Sequence, residues 1–375
     1  MHPINVMIKP ASASCNLRCK YCFYADEAAI RQVPNYGKMS RETLEEVVRL
    51  FMQNARGSCT FAFQGGEPTL AGLDFFEDVV RLEQKYSRPG LRVTNALQTN
   101  GMVIDADWCR FLAKNHFLVG LSMDGVKQTH DLYRQGPGGA GSFAQVQRAA
   151  QLMTQHGVEF NILTVVTRQL AKNITSVYNS YIKRGYLYHQ YIPCMDALES
   201  QRGGEEYSLS PKEYGEFLKK LFDLWYNDLR RGFVVSVRYF DNLMMMLNGR
   251  PPESCAMAGH CNVQYLVEAD GSVFPCDFYA LDAFRLGRIP ENTLEELDQK
   301  RQEIRFIEDS LQKPAECQSC PWLALCRGGC RRDCVDGPAS LNYYCESYRE
   351  FFAYAAPRLR QAADFLARTQ PGMFH

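Results

Sequence analysis

The chain is 375 residues long, 46% hydrophobic and 22% charged, an ordinary globular composition with room for two domains or one large one with an appendage. Its 42 Lys and Arg balance 42 Asp and Glu, so no broad cationic field for nucleic acid is expected. There is no run of about 18 apolar residues, and MHPINVMIKPASASC lacks a basic segment followed by a long apolar one, so neither a membrane span nor a secretory leader is expected.

Short β-prone runs then alternate with longer amphipathic ones. The β-prone runs are Ile4–Ile8, Ser58–Phe63, Leu91–Gln98, Phe117–Ser122, Phe160–Val166 and Tyr186–Ile192. Helical spacing covers Arg41–Asn54, Leu73–Tyr86, Asp105–Asn115, Phe143–His156 and Asn173–Arg184, with Ser40 as N-cap of the first. Such alternation predicts parallel strands with helical crossovers, an α/β fold. Six units over roughly 200 residues fall short of the roughly 250 of a closed eight-fold barrel, so an incomplete (β/α)6 barrel fits better. GGEP follows Phe63, QTNG follows Leu97 and SMDG follows Leu121. All three stand at carboxyl ends of parallel strands, where such folds bind ligands.

Residues 211–230 read as a helix with Pro211 at its start, and Phe233–Arg238 as a further β-prone run. From Ser254 the chain becomes cysteine-rich and loop-rich, with Asp270-Gly271 between two β-prone runs as a hairpin signal. The expected division is 1–240, a partial barrel, and 241–375, a small cysteine-rich α+β domain with a C-terminal helix.

The cysteines carry the chemistry. There are 15, an odd number that argues against a secreted disulfide scaffold. Cys15, Cys19 and Cys22 supply three thiolates, one fewer than a tetrahedral zinc normally takes from protein. A four-iron cube fits them better, since it is normally held by four thiolates and three would leave one iron open to a small molecule. Cys255, Cys261, Cys276, Cys317, Cys320, Cys326, Cys330 and Cys345 form a second group. Eight thiolates satisfy two clusters or two four-cysteine zincs, and spacing alone fits both; the N-terminal triplet favours iron–sulfur. Cys59 and Cys109 read as small buried hydrophobes, Cys194 is unassigned, and Cys334 competes with Cys330 or Cys345. Open clusters are oxygen-labile, so an anaerobic cytoplasm is expected.

CNLRCKYCFY after the first strand resembles the radical S-adenosylmethionine (SAM) superfamily, with GGEP similar to its contact for the methionine amino group. The second cysteine group resembles the auxiliary-cluster (SPASM) domain of peptide-modifying members. That resemblance implies three [4Fe–4S] clusters, the second held by Cys255, Cys261, Cys276 and Cys330 and the third by Cys317, Cys320, Cys326 and Cys345. It also implies Tyr21, Gly66, Ser122, Arg134 and Met195 around SAM, with the Arg134 fork suited to a carboxylate, and Asp277 as proton acceptor.

FAFQGGEPTLAGLDFFE, LQTNG, FLVGLSMDG, VEFNILTVVT, GSVFPCDFY and LNYYCESYREFF narrow the likeness to the anaerobic sulfatase-maturating enzymes. This implies oxidation of a Cys or Ser in an unfolded sulfatase peptide (C/S-x-P-x-R) to Cα-formylglycine, begun by a 5′-deoxyadenosyl radical at Cβ. A ferredoxin or flavodoxin would donate electrons, and a monomer with no nucleic-acid or membrane partner is expected. Gln64, Gln98, Asn100 and Tyr24 at the barrel mouth, and Tyr239 and Asp241 near the junction, are candidate peptide contacts. The rival readings are a thioether-forming peptide cyclase on the same scaffold and a zinc-stabilised binding module.

Overall fold

Ten strands of the computed structural model join in one sheet; residues 3–337 and 339–369 are described. The strands are β1 (Ile4–Ile8), β2 (Ser58–Phe63), β3 (Arg92–Thr99), β4 (Leu118–Ser122), β5 (Phe160–Val166), β6 (Tyr188–Pro193), β7 (Ser236–Val237), β8 (Tyr265–Val267), β9 (Ser272–Phe274) and β10 (Gly287–Arg288). Spatial order is β10-β9-β8-β1-β2-β3-β4-β5-β6-β7, and β1 through β7 pair parallel, each with the next. The incomplete barrel is therefore present, and it continues past its first strand. β8 pairs parallel with β1, Val6 opposite Tyr265, and the β8–β9 hairpin turns at Asp270-Gly271 as its sequence predicts.

The helices that pack the barrel and its C-terminal flank include α1 (Phe23–Ile30), α2 (Arg41–Asn54), α3 (Leu73–Lys85), α4 (Ala106–Lys114), α5 (Phe143–Gln155), α6 (Ile174–Lys183), α7 (Pro211–Arg230), α8 (Arg238–Leu247) and α9 (Cys345–Thr369). Their starts follow capping chemistry. Ser40 Oγ accepts from Thr43 N at 3.1 Å, and Asp105 Oδ1 from Asp107 N and Trp108 N at 2.9 and 3.0 Å. Ser210 and Glu213 form a reciprocal capping box with Pro211 in the first turn.

Two-residue periodicity assigns the sheet's faces. Phe61, Phe63, Leu97, Val119, Leu121 and Ile162 are fully buried against the helical layer. Ala62, Gln98, Gly120 and Asn161 line the concave interior. Gly120 is small for a reason: a Cβ there would lie 2.1 Å from Gln98 Oε1. Cys59 and Cys109 are fully buried in the same core, as small apolar side chains are.

The expected strand over Phe233–Arg238 shortens to Ser236–Val237, because pairing with β6 lasts two residues and Arg238 opens α8. Tyr239, expected near the peptide, instead packs on Phe240 and Phe351 and does not line the interior cavity. Around it α7, α8 and α9 pack on one another through Phe222, Trp225, Phe240 and Phe351.

Candidate active site

The three motifs at the strand ends meet. Cys15, Cys19 and Cys22 lie on the loop between β1 and α1, and each Sγ is close enough to load its neighbours electrostatically. Burial pushes the Cys19 thiol up to about 12, and burial also raises Cys15 against a hydrogen bond from Leu17 N. Thiols so placed stay protonated until a metal displaces the protons. Cys15 Sγ faces two N–H donors, Leu17 N at 3.4 Å and Asn100 Nδ2 at 3.7 Å, which suits a metal-bound thiolate. Among the described residues no three His, Cys, Asp or Glu side chains converge on a single-ion site, and a four-iron cube does not ask them to, being wider than one ion.

The glycines of GGEP are fixed by this loop. Gly66 has φ +55°, and a Cβ on it would lie 2.4 Å from the Ser14 carbonyl oxygen and 2.7 Å from that of Ser12. The turn thus lies directly on the chain leading to Cys15, closer than any side chain permits. Glu67 is buried and clamps two strand ends. Its Oε1 accepts from Thr69 N, Thr69 Oγ1 and Thr99 Oγ1 at 3.1, 2.6 and 2.7 Å, and its Oε2 from Asn100 N at 2.7 Å. GGEP and QTNG are therefore one structural unit, which their separation in sequence conceals.

SMDG supplies a second clamp. Asp124, buried, receives Arg134 Nε at 2.9 Å, Val165 N at 3.0 Å and the Tyr21 hydroxyl. Its own N–H donates to His130 Nδ1 at 3.1 Å, leaving His130 Nε2–H for Ser142 Oγ at 2.9 Å. Arg134 stands over the Tyr21 ring at 5.5 Å. Cys194 packs beside Tyr21, Tyr133 and Tyr207.

A cavity of about 1350 Å³ fills the sheet's concave side. Cys15, Cys19, Cys22, Tyr21, Gly66, Ser122, Arg134, Met195 and Asp277 all line it, as do Tyr24, Gln64, Gln98, Asn100 and Asp241. Gln98 Nε2 donates to Ser122 Oγ at 3.1 Å, and Asp241 accepts from Ser236 Oγ at 2.6 Å. Asp277 follows Cys276, and its Oδ2 accepts from Gln64 Nε2 at 3.3 Å and from the Tyr24 hydroxyl at 3.4 Å. Burial raises the Asp277 carboxyl above its ordinary value, opposed by hydrogen bonds that include Tyr24.

The remaining cysteines fall into two neighbourhoods. Cys276 and Cys330 feel each other and Cys255, and Cys330 also feels Cys261. Cys326 feels Cys345, Cys317 and Cys320. Cys330 Sγ also receives Arg332 N at 3.4 Å. Cys334 borders the first neighbourhood beside Cys255, Cys261 and Cys330, yet it also feels Cys317 from the second.

Sequence reasoning passed over Asp124 as a clamp and a buried charge cluster beneath the site. Lys9 Nζ lies 2.6 Å from Glu268 Oε1, Arg31 reaches the same oxygen, and Glu27 is buried nearby. A lysine at the end of a buried strand is the one local signal.

The radical SAM superfamily profile matches residues 10–174 and that of the iron–sulfur cluster-binding SPASM domain matches 255–321. The fold and the thiol-lined cavity thus define a radical SAM enzyme with an auxiliary-cluster region, and both descriptions imply [4Fe–4S] clusters and adenosylmethionine as cofactors. The cysteine-type anaerobic sulfatase-maturating enzyme of Clostridium perfringens is 48% identical over 97% of this chain and 99% of its own. The serine-type enzyme of Bacteroides thetaiotaomicron is 32% identical over 98% and 92%. Native anSMEcpe with bound AdoMet and Cp18Cys peptide superposes with a TM-score of 0.92 at 48% identity, covering 96% of this chain and 99% of that one. The chain belongs to the anaerobic sulfatase-maturating enzymes.

Proposed function

We propose that this chain oxidises the side chain of a cysteine in an unfolded sulfatase peptide to Cα-formylglycine. The observation that carries the reading is one cavity lined by the cysteine triplet, the Gly66 turn, Arg134, Met195 and Asp277. The cysteine preference is supported by 48% identity to a cysteine-type relative against 32% to a serine-type one.

In this reading Cys15, Cys19 and Cys22 hold the cluster that binds adenosylmethionine, and Cys255, Cys261, Cys276, Cys330 and Cys317, Cys320, Cys326, Cys345 hold two more. The cluster held by Cys15, Cys19 and Cys22 would supply the electron that reductively cleaves adenosylmethionine, and with it the chemistry that removes a hydrogen atom from the peptide Cβ. Arg134, held by Asp124 through Nε and Nη2, keeps Nη1 for the methionine carboxylate. Tyr21, Ser122 and Met195 shape the rest of that pocket. Asp277 would take the thiol proton as the remaining electron passes to an auxiliary cluster, and water would then displace the sulfur as hydrogen sulfide to leave the aldehyde. Burial matches Asp277 to that proton transfer by raising its basicity. Tyr24 and Gln64 orient the carboxylate, while Gln98 and Asn100 offer amide partners to peptide backbone. Asp241, at the far end of the cavity, belongs to the same reading.

The division near residue 240, a small soluble electron donor such as a ferredoxin or flavodoxin, a monomeric state and an anaerobic cytoplasm complete the proposal. Among the described residues no helix is long and apolar enough to cross a membrane.

Anaerobic incubation with adenosylmethionine, a reductant and paired C-x-P-x-R and S-x-P-x-R peptides, read by mass, tests it. The cysteine peptide should lose sulfur and gain an aldehyde faster than the serine peptide reacts. A product that keeps sulfur and loses two hydrogens would instead identify a thioether-forming enzyme, and intact peptides would sink the reading.

A further inference from the structure

Beneath Asp277 lies a charge that the reaction as described does not use. Lys9, immediately after β1, is fully buried, and so is its partner Glu268 at the end of β8. Taking an ammonium out of water is costly unless its pairing is close enough to offset the lost hydration, so its place needs a reason. Glu268, through Oε1 at 2.6 Å, is the one carboxylate within ion-pair reach of Nζ among the described residues, and Arg31 shares that oxygen.

Two neighbours of Lys9, Tyr24 and Gly65, line the cavity, as does Gln64 beside that glycine. Its stem fills the space beside Gly65, where an added Cβ would lie 2.5 Å from Lys9 Cγ. Its ammonium stands 5.1 Å from the centroid of the Tyr24 ring, within the range of a cation–π contact. Tyr24 and Gln64, the residue before that glycine, bond to each other at 2.5 Å and both reach Asp277 Oδ2. One turn beyond Tyr24 on α1, Glu27 is buried with neither carboxylate oxygen hydrogen-bonded, and it feels both Lys9 and Asp277.

We propose that Lys9 is a positioning residue for peptide oxidation: clamped by Glu268 under the Tyr24 ring and against the Gly65 turn, it holds Tyr24 and Gln64 on Asp277. The inference rests on the reading of Asp277 as proton acceptor. Lys9 touches no reacting atom; it fixes the two groups that orient the carboxylate, so its loss shows as misdirected radical chemistry.

The test compares wild type, K9M and K9R, reconstituted anaerobically, with D277N alongside. K9M keeps the stem and removes the charge, and K9R restores a cation. Peptide turnover in K9M should fall roughly 10- to 100-fold, the range lost when a reacting group is misaligned. Peptide KM should move less than about threefold, since a transition-state interaction is lost. More 5′-deoxyadenosine should form per aldehyde in K9M than in wild type, and K9R should recover part of the coupling.

K9M with wild-type turnover and coupling overturns the inference. So does a K9M that keeps its iron but loses 5′-deoxyadenosine formation in step with product. If K9M does not retain iron, E268Q replaces it as the test: release of the clamp should give the same uncoupling, and wild-type coupling in E268Q overturns the idea. Full peptide oxidation in D277N defeats the Asp277 reading itself, whereas an inactive D277N beside an unaffected K9M defeats the role of Lys9 alone.

Discussion

Arg134 and Asp124 form a two-point pair inside the protein, Nε to Oδ2 at 2.9 Å and Nη2 to Oδ1 at 3.3 Å, and both side chains are buried. Such a pair fixes the plane of the guanidinium before any ligand arrives. D124N keeps the size of the side chain but leaves a buried cation short of its charge partner. It should destabilise the protein by about 3 kcal/mol and raise the adenosylmethionine KM for 5′-deoxyadenosine formation about tenfold or more. Chemical denaturation and that KM, measured on one preparation, check the prediction.

Glu67 accepts four hydrogen bonds, three on Oε1 and one on Oε2. A glutamine there must point its NH2 at an N–H or O–H donor whichever way it is turned. E67Q should therefore cost roughly 2 kcal/mol, the penalty of buried donors left facing each other. It should also loosen the joint between GGEP and QTNG, seen as slower adenosylmethionine cleavage. An E67Q enzyme as stable as wild type would contradict the clamp.

The two positive-φ glycines Gly66 and Gly57 make a controlled pair. At Gly57, φ is +76° and nothing lies within 4 Å of an added Cβ, whereas at Gly66 a Cβ meets backbone oxygen at 2.4 Å. G57A should cost only about 1 kcal/mol, the conformational penalty alone. G66A should cost that and displace residues 12–14, abolishing adenosylmethionine cleavage. Thermal melts of both variants, with cleavage assays, distinguish conformational strain from a clash at the site.

His130 and His189 are both lowered to about 4 by burial, against about 6.5 in an unfolded chain. Unfolding therefore takes up protons between those values, and stability falls as pH drops from 6.5 toward 4, by up to roughly 3 kcal/mol per ring. H189Q should flatten the slope of stability against pH by about 1.4 kcal/mol per unit in that window. Anaerobic urea denaturation of the holoprotein at several pH values measures it.

Cys334, beside Cys330 and within reach of Cys317, competes with Cys330 or Cys345 for a ligand place, and iron content separates them. C345A should lose one cluster and retain about eight irons, whereas C334A should keep about twelve. The reverse result would move Cys334 into the ligand set.

Most of the sheet and its crossovers was legible because strand and helix periodicities are local properties. β1, β2, β5 and α2 run as their periodicity predicts, residue for residue. α1 was not legible, because FYADEAAI gives no clean apolar face and its Glu27 is buried. Gln64, Gly66, Gln98, Asn100 and Ser122 stand in or beside motifs legible at strand ends, and Tyr21, Arg134, Met195 and Asp277 came through the family resemblance, but the clamps that hold them were not legible. Asp124 joins Tyr21 to Arg134, and Glu268 joins Lys9 to Arg31; Tyr21 and Asp124 lie 103 residues apart and Arg31 and Glu268 237. No periodicity reports a pairing of that span. Tyr239 shows the opposite error, a residue given to the site from its place near the junction that packs among aromatic rings instead.

β1 sits between a neighbour made early, β2, and one made late, β8. A ribosome delivers residues 4–8 and 58–63 well before 265–267, so for most of its synthesis the chain carries a parallel strand with one naked edge. The nascent protein has to be shielded along that ladder until the hairpin emerges to seal it. A fragment ending near residue 240 never receives the seal, and its expected fate is self-association rather than a free-standing catalytic half.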